Sequence, residues 1–420
     1  MVITILTGGT RGDTQPYIAL GLALKKEGYK IRIATFENYE SFVKNYGLDF
    51  YPIKGDVKEV ATSNIMDSAM QADNPLKFIF SFRKLRSLVF NLQDDFYNAC
   101  QGSEAIVYHP GVTMGFFAAQ QLRIPSILAI PFPMTPTTEF PSIIFYNRPS
   151  LGKQYNRLTH ELIERTMWFG SKAAVRRFWK KKFGRRPKNF RNPFKKQTTK
   201  DFPTIVSCSQ HVFPKPKDWS EHVHNTGYWF LDEEKDWKAS KELQAFLKAG
   251  NPPIYVGFGS VKDAKTAVKT SNIVIDALKR NNMRGILATG WKSMMMDNDN
   301  QEDFFILESV PHSWLFPQMA AVVHHGGAGT TGATLRAGIP NIIIPYSNDQ
   351  FGWGRRIFEL GVGPKLIPRK KLTTEKLAKA IKLSQSKEII DAANQLGIKI
   401  DKENGAKKAA KIISSTLNNN

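Results

Sequence analysis

Short apolar runs alternate with amphipathic stretches from the first residues almost to the last. Residues 2–6 form an apolar run that enters the glycine-rich turn Gly8-Gly9-Thr10-Arg11-Gly12-Asp13-Thr14-Gln15-Pro16. The pattern predicts a strand followed by a helix to about Glu27, with Pro16 suiting its first turn and Gly28 its end. Residues 30–36 and 49–53 read as strands, with a helix over 38–46 between them. Residues 56–100 read as mainly helical, with Leu76, Ile79, Phe80, Leu85, Leu88 and Val89 near one stripe. Residues 104–108, 125–131 and 204–207 supply further strands. Strands alternating with helices predict βαβ units and a parallel sheet.

The rhythm breaks over 213–236, where Pro214, Pro216 and Gly227 precede the acidic cluster Asp232-Glu233-Glu234, and this stretch reads as a linker. It then restarts with strands over 253–258, 284–289, 304–307, 320–323, 341–344 and 365–367. The expected fold is α/β: two Rossmann-like, doubly wound domains facing each other across a cleft at the carboxyl ends of their strands. The boundaries read as 1–230, 231–400 and a terminal segment 401–420.

Composition narrows the class. The chain has 420 residues, room for two domains with a core in each. No apolar run reaches the eighteen residues of a membrane span, and the N-terminus reads as a first strand, not a signal peptide. Cys100 and Cys208 lie far apart without metal-ligand spacing and read as buried, reduced thiols of a cytosolic protein. The net charge of +22 is concentrated: residues 151–200 hold 16 Lys/Arg against 2 Asp/Glu. Trp168, Phe169, Phe178, Trp179, Phe183, Phe190 and Phe194 interleave with them. That mixture suits an anionic bilayer surface, and a plain solvated helical face is the alternative. Without a recognised nucleic-acid module, nucleic acid is not expected as a partner.

The turn His324-His325-Gly326-Gly327-Ala328-Gly329-Thr330-Thr331 stands between an apolar strand and a helix expected over 331–337. Almost free of side chains, it leaves amides at a helix start open to an anion, where the dipole also favours negative charge. His325, Thr330 and Thr331 add side-chain donors, and His324 reads as buried or as support for His325. The alternative is a tight turn whose glycines serve packing alone. It ends in no Gly-Lys-Ser/Thr, so it is not a Walker loop. Asp13 is either an N-cap or a carboxylate general base facing that loop. Asp349 and Gln350 cap a helix or bind sugar hydroxyls. Ser260 caps or meets a phosphate, Trp291 stacks on a base or fills the core, and His109 at a strand end is a reserve catalytic candidate. No metal-ligand cluster stands out.

These residues together resemble a known family. Val310-Pro311-His312-Ser313-Trp314-Leu315-Phe316-Pro317-Gln318, the turn from His324 to Thr331, Leu335-Arg336-Ala337-Gly338-Ile339-Pro340 and Asn348-Asp349-Gln350-Phe351 look like the C-terminal signature of UDP-glycosyltransferases. The branch is that of sterol 3-beta-glucosyltransferases, with bacterial glycopeptide glucosyltransferases nearby. Residues 9–16, Gly257-Phe258-Gly259-Ser260 and Lys402-Glu403-Asn404-Gly405-Ala406 match the same branch.

The resemblance implies the GT-B fold, with the last helix, about 406–417, crossing back to the first domain. It implies an inverting enzyme that moves glucose from UDP-glucose to a sterol-like hydroxyl without cofactor or metal, Asp13 being the base. His325, Gly327, Ala328, Gly329 and Thr330 would hold the diphosphate, assisted by Ser260. Val310 and Trp291 would lie by the uridine, Asp349 and Gln350 by the glucose, and Gly12 beside the donor. Phe132, Met134 and Phe140, with His109, are the acceptor-side candidates. A soluble polyketide, flavonoid or peptide acceptor is one alternative, and a non-catalytic nucleotide-sugar or membrane binder another. The expected location is the cytoplasm, peripherally on a membrane.

Overall fold

β1 (Val2–Leu6) is apolar on both faces because it lies mid-sheet with helices over each side. In the computed structural model, which describes residues 1–54, 90–196, 199, 202–232, 237–258, 264–288, 302–307, 310–346 and 349–418, it belongs to the first of two units. That unit comprises Met1–Leu231 with Glu403–Asn420; the second comprises Asp232–Lys402.

The first unit adds β2 (Lys30–Phe36), β3 (Asp49–Ile53), β4 (Ala105–Tyr108), β5 (Ser126–Ile130), β6 (Thr204–Val206) and β7 (Val223–Asn225). All seven are parallel, in the order β3-β2-β1-β4-β5-β6-β7. The chain winds one way from β1 and then restarts beside it with β4, so the topological switch point lies between β1 and β4. The second unit repeats this with β8 (Ile254–Gly257), β9 (Gly285–Ala288), β10 (Phe304–Leu307), β11 (Ala321–His324) and β12 (Asn341–Ile343). Its order is β10-β9-β8-β11-β12, with the switch point between β8 and β11.

The helix Gly405–Asn418 buries Ala409, Ala410, Ile413 and Leu417 in the core beneath Tyr17, Leu20 and Leu24 of the helix Arg11–Lys26. Glu403, buried just before it, accepts from Ser209 Oγ at 3.0 Å and from the Gln210 amide at 3.2 Å. Burial raises its pKa against these two bonds. A side chain at Gly227 would collide with this carboxyl, its Cβ lying 3.0 Å from Glu403 Oε2.

Several elements differ from the sequence reading. The stretch 213–236 is not a linker throughout: it contributes β7, and Trp229 and Leu231 enter the first core. A three-residue strand is too short to register as alternation. Residues 365–367 do not form a strand; Ile367 N donates to Ile343 O at 3.0 Å, but Pro364 and Pro368 flank it without N–H groups to extend the ladder. The helix expected over 38–46 divides into a 3-10 turn, Glu37–Tyr39, and Glu40–Asn45. The first helix starts at Arg11, so Pro16 sits in its second turn, where its missing N–H leaves the Gly12 carbonyl without that partner. Of the helix expected over 56–100, Leu92–Ala99 is present and residues 56–89 lie outside the described residues.

The basic segment forms one 31-residue helix, Lys153–Phe183. Its aromatics are mainly core: Trp168, Phe178 and Trp179 are buried, Trp168 stacking on Phe117 at 5.6 Å. Phe194, beyond it, is buried too. Cys100 and Cys208 are buried, free thiols.

Candidate functional site

In each unit the central candidates, Asp13 and His109 in the first and His325 in the second, follow strands that flank the switch point. In the first unit, β1 pairs with β4 through Leu6 and Tyr108, so the turns that follow run side by side. Asp13 comes from the first turn and His109 from the second. The Asp13 carboxylate caps its own helix: Oδ2 accepts from the Thr10 amide at 2.7 Å and from Thr10 Oγ1 at 2.9 Å. Both of these bonds are to one oxygen. The other, Oδ1, faces His109 Nε2 at 3.9 Å, beyond direct hydrogen-bond reach. Gly9, at φ +137°, is required there, because a Cβ would stand 2.4 Å from Asp13 Oδ2.

The tautomer of His109 follows from its other nitrogen. Gly111 N donates to Nδ1 at 3.0 Å, so the neutral ring carries its proton on Nε2, toward Asp13. Burial lowers the His109 pKa, and the Asp13 charge opposes that shift. Tyr17 packs edge-on against the ring at 5.7 Å. The side chain of Asp13 keeps 34% of its surface exposed against 13% for His109, so a solute reaches the carboxylate more readily.

The acceptor-side candidates lie on the chain after β5. Met134 is buried, while Phe132 and Phe140 are partly exposed. Met134 lines a small cavity with Leu128, Ile130, Glu164 and Phe194, where burial pushes Glu164 up to about 8. Phe140 packs on Phe213 at 5.3 Å. This chain is fastened by side chains that the sequence reading passed over. His160 meets the Met134 carbonyl through Nδ1 and the Phe140 carbonyl through Nε2, each at 3.0 Å. Asp218 accepts from Thr137 Oγ1 and the Thr138 amide, and Trp219 Nε1 donates to Thr135 O. The sequence offers a signal for His160 alone, a polar residue at an apolar-face position of its helix; Asp218 and Trp219 lie in a turn without one.

In the second unit, His324 is the last residue of β11, opposite Gly257 and Ile343. It is buried; its Nδ1 accepts from the Gly326 amide and its Nε2 donates to Asn341 Oδ1, both at 3.1 Å. Burial, helped by the neighbouring His325, drives its pKa from 6.5 down to about 3. His324 is therefore a neutral brace for the turn. Its pKa is lower folded than unfolded, so the unfolded chain binds the extra proton. Stability is full above about pH 6.5 and falls as the pH drops toward 3, by about 1.4 kcal/mol per unit from this group. Urea unfolding between pH 7.5 and pH 4.5 should show that loss, and a His324→Gln variant should show a shallower one.

His325 points the other way and is partly exposed. Burial of most of the ring lowers its pKa, partly offset by the Gly257 carbonyl. Gly326 adopts φ +90°, and a Cβ there would lie 2.8 Å from Ile343 Cγ2 and 3.1 Å from the Gln350 carbonyl. A Cβ on Gly327 would meet His325 Nε2 at 2.6 Å, whereas one on Gly329 meets nothing within 4 Å.

The helix begins earlier than expected, spanning Ala328–Arg336 with Gly327 as a cap that has no side chain. Glycine's poor helix propensity masked that turn. Its first intrahelical bond is Thr331 N to Gly327 O, leaving the amides of Ala328, Gly329 and Thr330 without an acceptor among the described residues. Residues 310–348 contain no Asp or Glu, so nothing in this stretch opposes an anion at the helix start.

Gln350, in the first turn of the helix Asp349–Glu359, lies against this loop, and its Oε1 accepts from Tyr346 N at 2.8 Å. Asp349 precedes it. Val310 is partly exposed, packed against the core cluster that contains Leu315 and Phe316. Gly12, in the first unit, is the second residue of its helix. Ser260 and Trp291 lie outside the described residues. Among the described residues no group of three His, Cys, Asp or Glu could hold a metal ion.

Known families match both ends of the chain. The family described as glycosyltransferase family 28 N-terminal domain matches residues 3–141, and that described as erythromycin biosynthesis protein CIII-like, C-terminal domain, matches residues 301–412. A sterol 3-beta-glucosyltransferase of Candida albicans is 38% identical over 99% of this chain and 28% of its own length. One from Arabidopsis thaliana is 33% identical over 98% of this chain and 65% of its own length. The chain thus spans less than two thirds of either relative. Among solved structures, the glycotransferase of kitacinnamycin covers 99% of both chains with a TM-score of 0.71 at 16% identity. Glycosyltransferase VinC, in complex with dTDP, covers 100% of both with a TM-score of 0.70 at 15% identity. At such identities these two structures establish a shared fold.

Proposed function

We propose that the chain is an inverting glucosyltransferase of GT-B fold, its residues 3–141 matching a family 28 N-terminal domain and residues 301–412 a CIII-like C-terminal domain. It moves glucose from UDP-glucose to the hydroxyl of a sterol or similar lipid, giving a β-glucoside. The observation that carries the donor half is the acid-free helix start at Ala328, with three amides that have no acceptor among the described residues. Diphosphate charge grows as UDP leaves, and donors fixed in advance stabilise it without reorganising. His325 adds its ring at the same place. Asp349 and Gln350 would hold glucose hydroxyls, with Val310 and Trp291 by the uridine and Ser260 at the phosphate.

The acceptor half rests on Asp13. Thr10 fixes one carboxylate oxygen, leaving the other to take the hydroxyl proton as attack on the anomeric carbon proceeds. His109 turns its Nε2 proton toward that oxygen from 3.9 Å, and burial favours the neutral ring. The domains would be 1–230 for the acceptor and 231–400 for the donor, with 401–420 completing the first. The sterol assignment draws on the relatives at 33–38% identity, and a soluble polyketide, flavonoid or peptide acceptor is the alternative. A lipid acceptor places the enzyme peripherally on a membrane, on the cytoplasmic side where UDP-glucose is found.

The test is to offer a set of UDP-sugars against sterols, phenolics and other hydroxylated lipids, with product mass and anomeric configuration as readouts. A β-glucoside of a sterol is the expected product. Unreacted UDP-glucose with every acceptor would overturn the proposal; a phenolic product without a sterol one would favour the soluble acceptor.

A further inference from the structure

The helix Lys153–Phe183 has one outward line along its whole length. At 100° per residue, Leu158, Leu162, Arg165, Phe169, Lys172, Arg176 and Lys180 all fall within about 40° of a single direction and span about 33 Å. The inner side carries Ile163, Trp168, Val175 and Trp179, which are buried. The outer line is divided in two. Its first half carries the exposed apolar groups, Leu158 at 59%, Leu162 at 38% and Phe169 at 45%, with Leu151 just before the helix at 75% and Arg165, paired with Glu161, among them. Its second half is cationic. Lys172, Arg176 and Lys180 are exposed and make no ion pair or hydrogen bond among the described residues.

Exposed leucines on a helix cost solvation that a soluble face would avoid, and three unpaired cations in register repel one another. Both costs become gains against one kind of surface. Leucine and phenylalanine side chains enter the boundary between headgroups and acyl chains, and lysines and arginines meet anionic headgroups. Glu161, the acid on this side, is neutralised between Arg157 at 3.3 Å and Arg165 at 3.4 Å. We propose that this helix face docks the first unit on an anionic lipid bilayer. Nucleic acid would engage the cations but leave the leucines in water, so the apolar half of the line favours the bilayer.

The inference deepens the lipid-acceptor reading, but its assay requires neither donor nor acceptor. Vesicles of phosphatidylcholine, with and without phosphatidylserine, are sedimented with the full chain. The chain should partition onto the phosphatidylserine vesicles and be released by salt. The triple variant Lys172→Glu/Arg176→Glu/Lys180→Glu should lose about tenfold or more in partitioning. Leu158→Ser/Leu162→Ser should lose severalfold even at low salt, which charge adsorption alone does not predict. All five positions are exposed, so both variants should keep the wild-type unfolding midpoint and the wild-type affinity for UDP. Equal binding to both vesicle types, wild-type partitioning of the triple variant, or an RNA complex that depends on the three cations while vesicles are ignored would each overturn the proposal. Vesicle binding without any glucosyl transfer would sink the enzymatic reading alone.

Discussion

Replacing Asp13 with Asn should cut transfer by about 10²–10⁴-fold, the usual worth of a positioned general base, while UDP affinity and the fold stay intact. The choice of Asn matters because Asp13 has two roles. Its Oδ2 holds the Thr10 amide and hydroxyl, the N-cap of a helix buried across the first core. An Asn side-chain oxygen still accepts both bonds, whereas Ala would add a capping loss of about 1 kcal/mol and confuse the two roles. What Asn removes is the second oxygen's capacity to take a proton. Its amide would face His109 Nε2, whose own N–H also points that way, so nothing basic remains beside the acceptor. Steady-state turnover, UDP calorimetry and a thermal melt on the same preparation separate the outcomes. Turnover within about tenfold of wild type would reduce Asp13 to a cap.

That Asp13 and His109 sit together was not legible in the chain. Each reads alone as a polar residue after an apolar run, ninety-six positions apart. They meet only because β4 returns to the free side of β1, a choice made by sheet topology that periodicity does not encode. The parallel units themselves were legible, since buried strands such as Val2–Leu6 and Ala105–Tyr108 are apolar runs of strand length. Short or proline-flanked pieces misled in both directions: Val223–Asn225 is a strand despite its polar His224 and Asn225, and residues 365–367 are not one despite Leu366 and Ile367. The aromatics of the basic segment misled for a related reason. Composition counts Trp168 and Phe169 alike, but a helix sends one inward and the other out.

The glycine turn is where two physical readings demand opposite results from one substitution. If the glycines serve packing, filling any of them should destabilise the second unit. Gly326, at φ +90° with Ile343 2.8 Å from its absent Cβ, meets that description, and Gly326→Ala should destabilise. Gly329 does not: it is helical and exposed, with no atom within 4 Å of its missing Cβ. Gly329→Glu should therefore keep or raise the unfolding midpoint, since Glu exceeds Gly in helix propensity by up to about 1 kcal/mol. A carboxylate in the first turn gains a further 0.3–1 kcal/mol or so from the dipole. The same carboxylate would occupy the field that a diphosphate requires. Two like charges about 5 Å apart at an effective dielectric near 20 repel by roughly 3 kcal/mol, so UDP affinity should fall about a hundredfold. A protein that melts no earlier yet no longer holds UDP in a titration would assign these amides to the donor. UDP affinity within about threefold of wild type would place the diphosphate elsewhere and leave the turn as packing.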